Sequence, residues 1–214
     1  MAATRSLGAL AALTLAALAS VAAHGSARAQ PLDCGSLIAG AVVGAVSQGS
    51  PAAQSADFDA HPLPWSNDAS QQAGQSTAHK AIDADCKVTG NSMLVSLSAR
   101  EWGTIAANRP NDAVRAGWSP TWTTRVSLPA NRQLNISVAS NVNYLSCQLV
   151  APGVAMSWTT RYSDNQTTLN GAGNFTLSLS CTSGGLHDVF QKSDQGWTND
   201  ETIQIELTEV SATG

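Results

Sequence analysis

From Asn91 onward, apolar and polar residues alternate with period two. Met93, Val95 and Leu97 interleave with Leu94, Ser96 and Ser98, and Trp122, Thr124, Val126 and Leu128 form one face of a second run. A Pro129-Ala130-Asn131 turn separates that run from Leu134, Ile136 and Val138. Leu145, Cys147 and Leu149 end at Pro152-Gly153, and Val154, Met156, Trp158, Thr160 and Tyr162 make the next face. After Asn170-Gly171-Ala172-Gly173 come Phe175, Leu177, Leu179 and Cys181, and Ile203, Ile205 and Leu207 close the series. Alternation bounded by Gly, Pro and Asn turns marks half-buried antiparallel strands. Seven or eight such runs at close spacing predict an all-β fold, an antiparallel β-sandwich of jelly-roll-like form.

The preceding part lacks that rhythm. Leu37–Val46 is apolar but built of small residues, and its period leaves an edge strand and a short helix both open. Residues 48–80 are rich in Ser, Ala, Gln and Pro without clear alternation. The chain therefore divides into residues 1–29, an irregular N-terminal arm over 30–90, and a sandwich domain over 91–214. Residues 103–120 read as a long connection between strands, the kind of segment that carries binding function on a rigid scaffold. Trp122-Thr123-Thr124-Arg125 recurs as Trp158-Thr159-Thr160-Arg161, but the flanks differ and the match is read as coincidence.

Residues 1–29 have the three parts of a secretory signal. Arg5 supplies the positive start, Leu7–Ala23 the uncharged apolar run, and Ala27-Arg28-Ala29 the small-x-small pattern before Gln30. The run is too short and too alanine-rich to span a bilayer comfortably, so cleavage after Ala29 is expected and no integral membrane segment remains. Removing Arg5 and Arg28 changes Lys+Arg 11 against Asp+Glu 15 to 9 against 15, a net charge of −6. That balance argues against nucleic acid or an anionic membrane surface as the main partner. A secreted or periplasmic location follows from the leader.

The 4 cysteines, Cys34, Cys86, Cys147 and Cys181, support that compartment. An even count in an exported chain reads as disulfides, and there is neither a C-x-x-C pair nor a histidine at ligand spacing to favour a metal. Of three possible connectivities, Cys34–Cys86 with Cys147–Cys181 keeps each bridge within one half of the chain.

The run Val126-Ser127-Leu128-Pro129-Ala130, Leu134-Asn135-Ile136-Ser137-Val138, Gln148-Leu149-Val150-Ala151-Pro152-Gly153, Asn170-Gly171-Ala172-Gly173-Asn174-Phe175-Thr176-Leu177 and Ile203-Gln204-Ile205-Glu206-Leu207 has the element order of a known family. In that order, residues 122–210 resemble the bacterial pre-peptidase C-terminal domain, a small β-sandwich appended to secreted proteins. The middle-strand acidic residues of that family are missing, and a cysteine pair is added. The resemblance implies a jelly-roll-like sandwich in an accessory, non-catalytic role.

Chemistry-bearing motifs are sparse. G-x-S-x-G, H-E-x-x-H, G-x-x-x-x-G-K and G-x-G-x-x-G do not occur. Glu101 and Asp112, in or beside the 101–120 connection, are the first suspects for a carboxylate pair of the glycosidase kind. Against that stands the simpler reading of two solvated loop acids. His61, His79, Asp83 and Asp85 have the ligand types for a divalent ion but no regular spacing. Asp194, Asp200 and Glu201 near the last turn are candidate oxygen ligands for a structural calcium, without the spacing of an EF-hand loop.

Aromatic usage is skewed, with Trp 6 against Tyr 2 and Phe 3. Trp122 and Trp158 fall on alternating faces and belong to the core. Trp65, Trp102, Trp118 and Trp197 sit in or beside expected loops, among polar residues. Flat aromatic faces stack on sugar rings while neighbouring amides and carboxylates bind hydroxyls. The same four residues can also plug the ends of a sandwich. The expectation is thus an exported, non-catalytic binding or cell-envelope module, with a glycan or cell-surface component as partner. A secreted hydrolase and a purely structural surface protein are the competing expectations.

Overall fold

The computed structural model of the 214-residue chain describes residues 32–47, 52–105, 113–143, 145–159, 163–183, 187–189 and 196–212. The expected leader, Asp112 and Asp194 lie outside them. In chain order the strands are β1 (Ser36–Ile38), β2 (Ala41–Val46), β3 (Ala53–Asp57), β4 (Ala60–Pro62), β5 (Trp65–Ala73), β6 (Ser76–Thr89), β7 (Ser92–Thr104) and β8 (Ala113–Gly117). They continue as β9 (Thr121–Leu128), β10 (Arg132–Asn141), β11 (Leu145–Ala151), β12 (Val154–Trp158), β13 (Ser163–Asn170), β14 (Gly173–Ser183), β15 (His187–Val189) and β16 (Gly196–Ser211).

Among the described residues these strands form three antiparallel sheets. The first has the order β12-β11-β14-β9-β1-β4, the second β13-β10-β16-β7-β6-β5, and the third β15-β8-β2-β3. The first and second face each other as a sandwich, as the alternation in the C-terminal part predicts. Between them lie Met93, Val95 and Leu97 of β7, Trp122 and Val126 of β9, Leu134 and Ile136 of β10, and Ile203, Ile205 and Leu207 of β16. The outward partners in each strand are mostly Ser, Thr, Asn and Gln, so each sheet buries one face and hydrates the other.

The third sheet was not expected. Strands β6, β7 and β16 outrun the first sheet, and β2 and β8 cover the excess length. Val43, Ala45, Ala73, Ala78, Ile105 and Val114 fill this second, smaller core.

The segment expected as an irregular arm is instead strand. Its described part forms β1 to β6 and contributes to all three sheets. The expected boundary at residue 90 falls in the tight turn of the β6–β7 hairpin. The reason is visible in β5 and β6. Asn67, Ala69 and Gln71 are partly buried while Ser66, Asp68 and Ser70 are exposed. Ser76, Ala78, Lys80, Ile82 and Ala84 then line the inner face of β6. Period two is present, but in small and polar side chains that do not register as hydrophobic. Leu37–Val46 resolves as two strands, broken at Ala39-Gly40, that carry the chain from the first sheet to the third.

The two disulfides have the expected connectivity. Cys147 and Cys181 are direct cross-strand partners on β11 and β14, with Cα atoms 4.0 Å apart. Cys34 and Cys86, 5.8 Å apart, join the lead-in to β1 in the first sheet to β6 in the second. Gly35 sits in that lead-in at φ 71, and a Cβ there would lie 2.1 Å from the Thr123 carbonyl oxygen. Only glycine fits both the left-handed backbone and the close approach. Two disulfides mark a chain that folds in an oxidising environment. No helix among the described residues is long and apolar enough to cross a membrane.

Candidate functional site

The outer face of the second sheet gathers polar side chains in rows set by strand register. One row runs Ser70 (β5), His79 (β6), Trp102 (β7) and Thr198 (β16). The next runs Asp68, Ala81, Arg100 and Asp200. The row beyond is Ser66, Asp83, Ser98 and Thr202. Trp102 is half-buried, the largest side chain in these rows. Its ring lies parallel to His79, with centroids 5.0 Å apart and planes 2° from parallel. The Arg100 guanidinium carbon is 5.6 Å from the Trp102 ring centroid, within cation–π range. Arg100 also faces Asp200 at 3.6 Å in an exposed ion pair, an arrangement worth little to stability in water. Hydroxyls, carboxylates and a guanidinium thus surround one aromatic pair on this face.

The other tryptophans named from the sequence lie elsewhere. Trp118 is 1% exposed and its Nε1 donates to Glu201 Oε2 at 2.6 Å. It is a core plug. Trp197, on the inner face of β16, packs partly buried against the smaller core. Trp65, at the start of β5, packs against the main core and stacks on His61 at 4.2 Å between centroids. Trp122 and Trp158 are buried as expected. The four candidates therefore form no single platform, and Trp102 alone among them rises from the outer face of the second sheet.

The candidate acids and metal ligands also separate. Glu101 is not a loop acid: it is 2% exposed on the inner face of β7. Lys80 Nζ is 3.7 Å from its Oε1, and Asn199 Nδ2 is 3.5 Å from its Oε2. Asp200 and Glu201 are consecutive in β16 and point to opposite faces, the first exposed and the second buried. They do not ligate one ion together. His61 Nε2 lies 3.0 Å and 3.2 Å from the two Asp57 oxygens, while His79 is on the outer face. Among the described residues no group of three or more His, Cys, Asp or Glu is placed to hold a metal.

Around Asp57 the third and second sheets meet. Partial burial pushes its carboxyl up. Hydrogen bonds from His61, the Asp59 amide and Asn67, with the His61 charge, outweigh burial and hold it below the ordinary value. Lys80, Asn143 and Arg100 were missed as site residues, and His79 was weighed only as a metal ligand. Once β6 is recognised as a strand, alternation alone places His79 outward and Lys80 inward.

No protein-family model matches the chain, and no curated protein matches it in sequence. Among solved structures it is similar to the crystal structure of a GH31 alpha-xylosidase from Xanthomonas citri, at 10% identity and a TM-score of 0.22. That match takes in 86% of this chain and 25% of the xylosidase, so the chain spans about a quarter of that protein's length. A likeness this slight carries no argument about fold or activity.

Proposed function

We propose that the protein is an exported, non-catalytic binding module whose ligand is a glycan, either a polysaccharide or another cell-surface component. It acts outside the cytoplasm after removal of residues 1–29. The observation that supports this reading is the Trp102–His79 pair, set among Ser70, Thr198, Asp68, Arg100 and Asp200 on one sheet face. Sugars need an apolar surface for their ring C–H faces and hydrogen-bonding groups for their hydroxyls, and this face offers both. Strands about 4.8 Å apart within a row, and rows about 7 Å apart along the strands, repeat polar groups over the surface, which suits a repeating polymer. Asp68, Asp83, Asp85 and Asp200 outnumber Arg100 and Lys87 there. A neutral or amine-bearing glycan therefore fits better than an acidic one. The accessory role implied by the resemblance of residues 122–210 to pre-peptidase C-terminal domains agrees with this reading.

Affinity electrophoresis tests it. Migration of the mature protein through gels containing soluble polysaccharides is expected to be retarded by at least one neutral or amine-bearing polymer, and Trp102→Ala is expected to migrate freely. Equal migration of wild type in every gel contradicts the proposal.

A further inference from the structure

The polar rows around Trp102 and His79 continue along β5 and β6 to the margin of the second sheet. Ser66 and Asp83, paired in the last of the three rows, also line an open cleft there, together with Pro64, Trp65, Ala84 and Asp85. The cleft lies where β5 begins, with Trp65 opposite Ala84, while β6 runs on to Thr89. Trp65 does not rise from the outer face as Trp102 does. It is half-buried, packed against the main core and walling this cleft at the same time.

Trp65 repeats the arrangement found at Trp102. Each indole is half-buried and stacked on one histidine: His61 at 4.2 Å with planes 11° apart, and His79 at 5.0 Å with planes 2° apart. His61 is itself held in place, with Nε2 at 3.0 Å and 3.2 Å from the two Asp57 oxygens. Asp57 also accepts from Asn67 Nδ2 and from the Asp59 amide, each at 3.1 Å. An aromatic face fixed before a ligand arrives loses little freedom on binding. Asp83 and Asp85 are exposed beside it, with oxygens to accept hydrogen bonds from hydroxyls.

We propose that Trp102 and Trp65 are two stations of one binding track, and that the ligand is a linear glycan long enough to lie across both. This rests on the reading of the Trp102 face as a glycan site. His79 and Ala84, the β6 partners of the two tryptophans, are five residues apart, about 17 Å along the strand. The indoles start from β7 and β5, on either side of β6, about 10 Å apart across the sheet. A monosaccharide or disaccharide cannot bridge that separation, whereas an extended oligosaccharide does. Between the stations stand Asp68 and Ser66 of β5 and Ala81 and Asp83 of β6. Their side chains are short, so a sugar chain can lie close to the sheet between the two rings. When one molecule fills both stations the second contact is made without a further loss of translational freedom, and affinity rises with chain length up to the span.

Calorimetric titration of the mature protein with cello-oligosaccharides and with chitosan oligosaccharides, each from mono- to hexasaccharide, tests the length requirement. The expected result is weak binding through the disaccharide, a rise of about tenfold once the chain reaches both indoles, and little change beyond. Trp65→Ala is expected to remove the rise and leave short-chain binding as in the wild type. Asp83→Ala alters only an exposed side chain of the cleft, and is expected to reduce the rise even where Trp65→Ala is too unstable to assay. Trp102→Ala is expected to lose binding at every length. Equal affinity for disaccharide and hexasaccharide, lost in Trp102→Ala, overturns the track and leaves the Trp102 site standing. So does a rise that survives undiminished in Asp83→Ala and Trp65→Ala. Absence of binding at every length in both series overturns the track together with the glycan reading.

Discussion

Trp118 Nε1 donates a 2.6 Å hydrogen bond to Glu201 Oε2, so an indole expected in or beside a loop is fixed inside the main core. Glu201 Oε1 is bonded by the Asn143 amide, and both carboxylate oxygens are thus engaged inside the protein. Trp118→Phe keeps most of the apolar volume but leaves a buried carboxylate oxygen without its indole donor. The expected cost is about 2–3 kcal/mol, read as a lower midpoint in urea unfolding at unchanged slope.

Trp102 and Trp122 are expected to behave oppositely. Trp122 is fully buried on β9 and its Nε1 donates to the Cys34 carbonyl at 2.8 Å. Trp122→Ala should cost about 3–5 kcal/mol or prevent folding. Trp102 faces outward on β7, and Trp102→Ala should cost about 1 kcal/mol or less, because it removes surface stacking only. Chemical denaturation of the two variants checks the contrast.

Asp57 supplies a pH signature. Its folded-state carboxyl titrates below the ordinary value of 3.8. A depressed carboxylate stabilises the fold above its unfolded value, and that contribution is lost as pH falls through the folded one. The wild type should exceed Asp57→Asn by about 1 kcal/mol near neutrality. The gap should close as pH drops below 3.8. Thermal unfolding of both proteins from pH 6 to pH 3 measures it.

The Cys34–Cys86 bridge spans a sequence separation of 52 and ties the first sheet to the second. Replacing both cysteines by serine should cost up to about 4 kcal/mol by the chain-entropy relation. Cys147 and Cys181 are also held by the β11–β14 ladder. Removing that bridge should therefore leave the local pairing intact, while loss of Cys34–Cys86 should loosen the lead-in to β1. Hydrogen exchange at Leu37 and at Leu149 distinguishes the two.

The sandwich was legible from residue 91 onward because large apolar residues occupy every second position, as Met93, Val95 and Leu97 do. The disulfide pairing was legible because each bridge closes within its own half of the chain. Strands β3 to β6 were hidden because their inner faces use Ala, Asn, Gln and Ser, whose alternation carries little hydrophobic contrast. Glu101 and Trp118 were assigned to a loop because β7 continues past the main core, where β8 and β2 of the third sheet cover the excess length. Lys80 drew no notice for a related reason. A charged residue on an inner face becomes conspicuous only when Glu101 and Asn199 are known to stand beside it.

The most direct test of the binding account is acrylamide quenching of tryptophan fluorescence, with and without the polysaccharide that retards the protein most. Trp118, Trp122 and Trp158 are buried, so Trp102 should contribute most of any ligand-sensitive quenching. The account predicts that ligand protects the wild type and that Trp102→Ala shows no ligand-dependent change. Protection that persists undiminished in Trp102→Ala, or wild-type quenching indifferent to every polysaccharide, contradicts it.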